Sequence, residues 1–188
     1  FKYKPDFFFM IKGETIPKGV VKQFSSKGIV TANWTLDEPL GEIYSSNKIH
    51  NIEEYDYFFV FDPSYLEDLK KINPNSFYLP CSADPINMHV EAIPMEKRDY
   101  PYNVSFVGSY QPEREVMVEK ISEFDPHIFG FNWKNENNKI KSLHKQFVGG
   151  IEMCNVLNQS KINLNIQALH CKESMNMRTF EIPATKSF

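Results

Sequence analysis

Three stretches of this 188-residue sequence combine residue types that can do chemistry. Glu173 and Glu181 are separated by seven residues, with Arg178 between them. A carboxylate accepts two hydrogen bonds at once and so suits a vicinal diol such as ribose, while an arginine fork suits a phosphate. The plainer reading of the same residues is a solvated helix face with a surface Arg–Glu pair, which contributes little. Gly108-Ser109-Tyr110 follows an apolar run and precedes a helical pattern with Arg114 in its first turn. A glycine there lets the backbone approach a diphosphate, and the helix start supplies donors. An ordinary tight strand-to-helix turn would also use a glycine at this point. The third stretch is Trp34-Thr-Leu-Asp37-Glu38-Pro39, where Asp37 could orient or deprotonate an acceptor hydroxyl, or simply cap a turn.

Other patterns carry less. His50, His89, His127, His144 and His170 lack HxxxH or HExxH spacing, and no Asp-x-Asp occurs, so no metal site is expected. Neither GxGxxG nor GxxxxGK[ST] is present. Asn33-Trp-Thr, Asn103-Val-Ser and Asn158-Gln-Ser read as chance matches to the N-glycosylation pattern.

Short apolar strands alternate with amphipathic helices. Asp6 to Ile11 is a continuous apolar run after Pro5, the pattern of a strand buried on both faces. A helix is expected from Pro17 to about Ser26, ended by Gly28. Strand 29–32 comes next, followed by a loop or short helix over 33–47. Strand 57–61 precedes Asp62-Pro63, an N-cap and first helical residue opening a helix to about Ile72. A short strand at 77–79 follows. The stretch 91–103, with Pro94 and Pro101 amid charges, reads as a linker. Alternation then restarts with strand 104–107, a helix over 112–124, strand 127–129, a helix near 151–159, strand 162–166 and a helix from about Asn176. In the helix over 112–124, Val116, Met117, Ile121 and Phe124 form the stripe expected to pack on a sheet.

Such alternation predicts an α/β protein with parallel sheets and right-handed crossovers. Two blocks suggest two Rossmann-like domains: an N-terminal one over 1–92, a linker over 93–103, and a C-terminal one over 104–188. The second block has only about three strands, so it is expected to be truncated. Ligands in such sheets bind outside the carboxyl ends of the strands.

Composition limits the function classes. Hydrophobic residues at 41% and aromatics at 14% support a packed core and argue against disorder. The 21 basic and 24 acidic residues are mixed, leaving a net charge of −3 and no basic run for nucleic acid. The apolar runs are far shorter than the roughly 20 residues that span a bilayer. No signal peptide is expected from the residues given, the first of which is Phe1 rather than Met. Cys81, Cys154 and Cys171, odd in number and without CxxC spacing, read as reduced thiols in a cytoplasmic protein.

A set of segments in order carries a resemblance: Asp6-Phe-Phe-Phe-Met-Ile-Lys-Gly13, Asn33-Trp-Thr-Leu-Asp-Glu-Pro39, Tyr78-Leu-Pro-Cys-Ser-Ala-Asp-Pro85, Val104-Ser-Phe-Val-Gly-Ser109, Ser160-Lys-Ile-Asn-Leu-Asn165 and Met177-Arg-Thr-Phe-Glu-Ile-Pro-Ala184. Together these resemble the spore-maturation CgeB-like glycosyltransferases, which belong with the group 1 glycosyltransferases of GT-B fold. The resemblance implies two Rossmann-like domains and a nucleoside-diphosphate sugar as donor substrate, bound mainly by the C-terminal domain. It implies no separate cofactor, and an acceptor that is a glycan, lipid or protein. Group 1 enzymes often carry a Glu-x7-Glu pattern, which Glu173 and Glu181 reproduce. By that likeness Glu181 holds the ribose hydroxyls and Glu173 lies near the donor sugar. Gly108 and Ser109 line the diphosphate, Arg114 or Arg178 offsets its charge, and Asp37 serves the acceptor side. Relatives commonly have glycine where this chain has Lys186, and the elements that normally complete the donor pocket would follow Phe188, so the chain alone is expected to lack part of that pocket. Two other readings stand beside it: a non-catalytic nucleotide- or sugar-binding module of the same fold, and a nucleotide-sugar epimerase.

Overall fold

A computed structural model describes residues 5–133 and 138–188. It is a mixed α/β structure in which every strand pair is parallel. Two compact units divide the chain: residues 1–81 with 169–175, and residues 82–168 with 176–188.

In unit 1, strand β1 (Phe7–Ile11) leads through helix α1 (Val20–Ser25) to β2 (Val30–Thr35). Strand β3 (Tyr57–Val60) is followed by a 3-10 turn at Pro63–Tyr65, helix α2 (Leu66–Ile72) and β4 (Ser76–Tyr78). The order β1-β2-β3-β4 follows the sequence, so successive right-handed crossovers place α1 and α2 on one face. Against that face lie the buried side chains of Val21, Phe58, Val60 and Leu69. Phe24 of α1 stacks on Phe8 with ring centroids 4.3 Å apart. Gly28, at φ 76°, closes α1 as expected: its N–H donates to Ser25 O and that of Ile29 to Phe24 O, a glycine-dependent C-cap.

Three expectations for this unit are corrected. Strand β1 is not buried on both faces. It lies at the sheet edge, and its outward residues Phe7, Phe9 and Ile11 are 53, 45 and 53% exposed, because the helices of this unit cover only the opposite face. Strand β2 extends through Thr35, where a loop was expected from Asn33; buried Asn33 is tolerated because its Nδ2 donates to Lys12 O at 2.6 Å. Helix α1 begins at Val20 rather than Pro17, since Gly19 N donates to both oxygens of Glu54 and marks the true helix start.

Asp62 caps the turn after β3 as its sequence context predicts, accepting from Ser64 N through Oδ1 at 2.9 Å. Its other oxygen, Oδ2, accepts from Lys172 N, Glu173 N, Ser174 N and Ser174 Oγ at 2.7 to 3.1 Å. One fully buried carboxylate thus holds the returning segment 169–175, assisted by Tyr65 Oη donating to His170 O at 3.0 Å.

In unit 2, β5 (Tyr102–Val107) is the central strand of the order β6-β5-β7. Helix α3 (Pro112–Lys120) connects it to β6 (His127–Phe129); α4 (Asn138–Leu143) and α5 (Gly150–Asn158) lead to β7 (Ser160–Leu164), and α6 (Arg178–Ala184) follows. Both faces are covered. Phe106, Val118, Ile128, Trp133, Ile140 and Leu143 pack as one cluster, and Val107, Phe129, Met153, Val156, Leu157 and Ile182 as another. The stripe expected on α3 is corrected: Val116, Met117 and Phe124 are about half exposed, and Val118 is the fully buried residue. Arg114 and Val118, one turn apart, share the inward side. Lys186 takes φ 56° at the end of α6, with Ser187 N donating to Ile182 O, so lysine occupies the left-handed position that glycine favours.

Burial raises the Asp62 pKa, but the hydrogen bonds from Ser64, Glu173 and Ser174 outweigh it and leave the group below its ordinary value. A depressed folded pKa contributes stability that is present above the unfolded value, near 4, and lost as pH falls through the folded one. Asp62→Ala should therefore lower stability by about 3 kcal/mol at pH 7. That difference from wild type should shrink below about pH 4, measured by urea unfolding at pH 7 and pH 3.

Candidate functional site

Strand β5 is joined to β6 on one side through α3, and has β7 on its other side, reached later through α5. The chain passes from β5 to β6 through α3 on one face and from β6 across β5 to β7 through α5 on the other, and open α/β sheets bind ligands at the carboxyl ends where the strand order reverses in this way. Val107, Gly108 and Ser109 form the exit of β5, and Asn165 and Ile166 that of β7.

Two arginines converge on these exits. Arg114 donates from Nη1 to Ser109 O at 2.9 Å and from Nε to Ile166 O at 3.3 Å, bridging the two strand ends. Arg178 donates from Nε to Val107 O at 3.0 Å. Burial, and secondarily the like charge of Arg114, pull the Arg178 guanidinium down to about 10, so it stays charged at neutral pH. Arg178 also pairs through Nη1 with Glu181 Oε2. Glu181 is buried, and its Oε1 lies 3.1 Å from His89 Nε2. On the far side of the imidazole, Nδ1 accepts from Asp84 N at 2.9 Å. Beside them, Asn165 Nδ2 donates to Thr179 Oγ1 at 2.9 Å.

The predicted residues thus fall into two sets. Gly108, Ser109, Arg114, Arg178 and Glu181 come together in unit 2. Gly108 has a packing reason as well, since a Cβ there would lie 2.7 Å from Phe106 Cζ. Its N–H is already donated to Phe129 O at 2.8 Å, and its carbonyl accepts from Trp133 Nε1. Asp37 and Glu173 belong to unit 1. Asp37 forms an ion pair with Lys12 and lies 3.5 Å from His170 Nε2. Its neighbour Glu38 is buried and structural, accepting from Leu40 N at 2.6 Å and Ile43 N at 3.3 Å. Glu173 is exposed on the segment that Asp62 holds by its amides.

His89 is the participant that sequence reasoning missed. It shows no metal-ligand spacing, and its partner lies 92 positions away (181 − 89), beyond any local pattern. The one signal was Asp84-Pro85, whose turn places the ring: Asp84 Oδ1 accepts from Ile86 N and Asn87 N, and Asp84 O from His89 N.

A family model described as glycosyl transferase-like matches residues 113–188, a span that contains Arg114, Glu173, Arg178 and Glu181. Over that span the chain is similar to glycosyl transferases. No curated protein and no solved structure matches the chain. No helix among the described residues is long and apolar enough to cross a membrane.

Removing one partner of a buried ion pair leaves an uncompensated charge. Arg178→Met should therefore destabilise the protein by about 3 kcal/mol, and adding Glu181→Gln should recover part of that loss. Guanidinium unfolding of the single and double variants measures both.

Proposed function

We propose that the chain is part of a metal-independent glycosyltransferase of the two-domain GT-B type, resembling the CgeB-like group, and that unit 2 holds its nucleoside-diphosphate sugar donor. The observation that carries this reading is the convergence of Arg114 and Arg178 on the exit of the central strand, where the strand order reverses. The match to a glycosyl transferase-like family over 113–188 supports the same chemistry.

Two guanidinium groups fixed at the strand ends present the forked donors that suit a diphosphate. As the sugar leaves, negative charge develops on that diphosphate, and fixed cations held by backbone carbonyls stabilise it without reorganising. Gly108 and Ser109 line the diphosphate. Glu181 keeps a further lone pair on each oxygen beyond those facing Arg178 and His89, enough to accept from a ribose diol. Glu173 serves the donor sugar. Asp37, held between Lys12 and His170, orients or deprotonates the acceptor hydroxyl.

Calorimetric titration with the diphosphates of uridine, guanosine, adenosine and thymidine tests this reading. One of them should bind, and Arg114→Met should weaken it at least about tenfold, as loss of a charge-assisted contact implies. No binding by the folded wild-type chain would defeat the donor-site assignment. Conversion of a nucleotide sugar with no acceptor present would favour an epimerase instead, and binding without transfer a non-catalytic module.

A further inference from the structure

We infer that His89 is a positioning residue that aims Glu181 at the sugar of the bound nucleotide and thereby sets a preference for ribose over deoxyribose. This rests on the donor site proposed above. Both ring nitrogens of His89 are committed, and the commitments fix which one carries the proton. Asp84 N–H points at Nδ1 from 2.9 Å, so Nδ1 must offer its lone pair. The single proton of the neutral ring then sits on Nε2 and is donated to Glu181 Oε1 at 3.1 Å. A ring protonated on Nδ1 would set two N–H groups against each other. The neutral Nε2–H form satisfies every polar atom of the pair.

The imidazole is itself held rigidly. Asp84 closes the turn that carries it, accepting through its side chain from Ile86 N and Asn87 N and through its carbonyl from Met88 N and His89 N. Met88 O accepts from Cys154 Sγ of helix α5 at 3.3 Å, tying the turn to the domain core. His89 is 8% exposed and Glu181 2%, so neither side chain has room to wander.

The division of labour on Glu181 follows. Arg178 takes Oε2 and His89 takes Oε1, which fixes the plane of the carboxylate and the directions of its remaining lone pairs. Arg178 is also tied to the β5 exit, so it links the carboxylate to the diphosphate end of the site. His89 makes no such link and lies on the opposite carboxylate oxygen. Its effect is therefore on the recognition of the sugar hydroxyls. A site whose buried acceptor is fixed against a hydroxyl rejects the analogue lacking it far more strongly than a loosely held one does.

The test compares affinities for a ribonucleoside diphosphate and its 2′-deoxy counterpart in wild type, His89→Ala and His89→Gln, by calorimetry. Wild type should prefer the ribonucleotide by about tenfold or more. In His89→Ala the preference should fall below about threefold, with affinity for the deoxynucleotide little changed. His89→Gln, which keeps a donor near the Nε2 position, should restore most of the preference. An unchanged ratio in His89→Ala, with both ligands weakened alike, would make His89 merely structural and overturn the inference. Equal wild-type affinity for the two sugars would also overturn it while leaving the diphosphate site standing. Failure of the wild type to bind any nucleotide would remove the donor-site reading and this inference with it. A measurement that needs no variant is nitrogen NMR of His89 in the wild type: an Nε2–H tautomer is expected, and an Nδ1–H tautomer would contradict the assignment.

Discussion

Two like charges held together in one place need a reason, and in this chain they stand at the carboxyl end of strand β5. Arg114 and Arg178 reach that end from different helices, and each is tied to backbone carbonyls of the strand exits. Burial first, and the like charge of Arg114 second, weaken the hold of Arg178 on its proton. Glu181 compensates one of them, and His89 orients Glu181. Both guanidinium groups stand at the carboxyl ends of β5 and β7, the side on which open α/β sheets bind ligands. The surrounding architecture serves this constraint. Val118 anchors α3 so that Arg114 points inward, and Ile182 anchors α6 so that Arg178 and Glu181 do.

Unit 1 uses its acidic residues differently. Glu38, Glu54, Asp56 and Asp62 each accept backbone N–H groups and fix loops or helix starts. The most consequential is Asp62, whose one oxygen gathers three successive amides of the segment 172–174 and thereby fixes the backbone of Glu173. Asp37 instead pairs with the side chains of Lys12 and His170.

Much of the α/β architecture was legible because it rests on local signals. Aromatic and β-branched runs bounded by Pro, Gly or Asp marked the strands, and Asp62-Pro63 marked a helix start that the structure reproduces. The errors have a common cause. Apolar periodicity assigned Val116 and Met117 of α3 to the core, yet the inward side is set by where Arg114 must reach, and Val118 is the residue that sits beneath it. The run in β1 suggested burial on both faces, but the helices of unit 1 cover one face of the sheet only, a topological fact no local window contains. Helix α4, six residues long, gave no signal. The grouping of 169–175 with unit 1 depends on a contact spanning more than one hundred residues. Lys186 shows the converse: the sequence marked a departure from glycine, and the backbone keeps the left-handed turn regardless.

The central claim is that the carboxyl end of β5 is a diphosphate site built by two arginines. The most direct measurement is the NMR response of the Arg114 and Arg178 Nε–H groups during titration with a nucleoside diphosphate and with its parent nucleoside. Both signals should shift with the diphosphate and neither with the nucleoside. Binding of the diphosphate that leaves both arginine signals unmoved would contradict the claim.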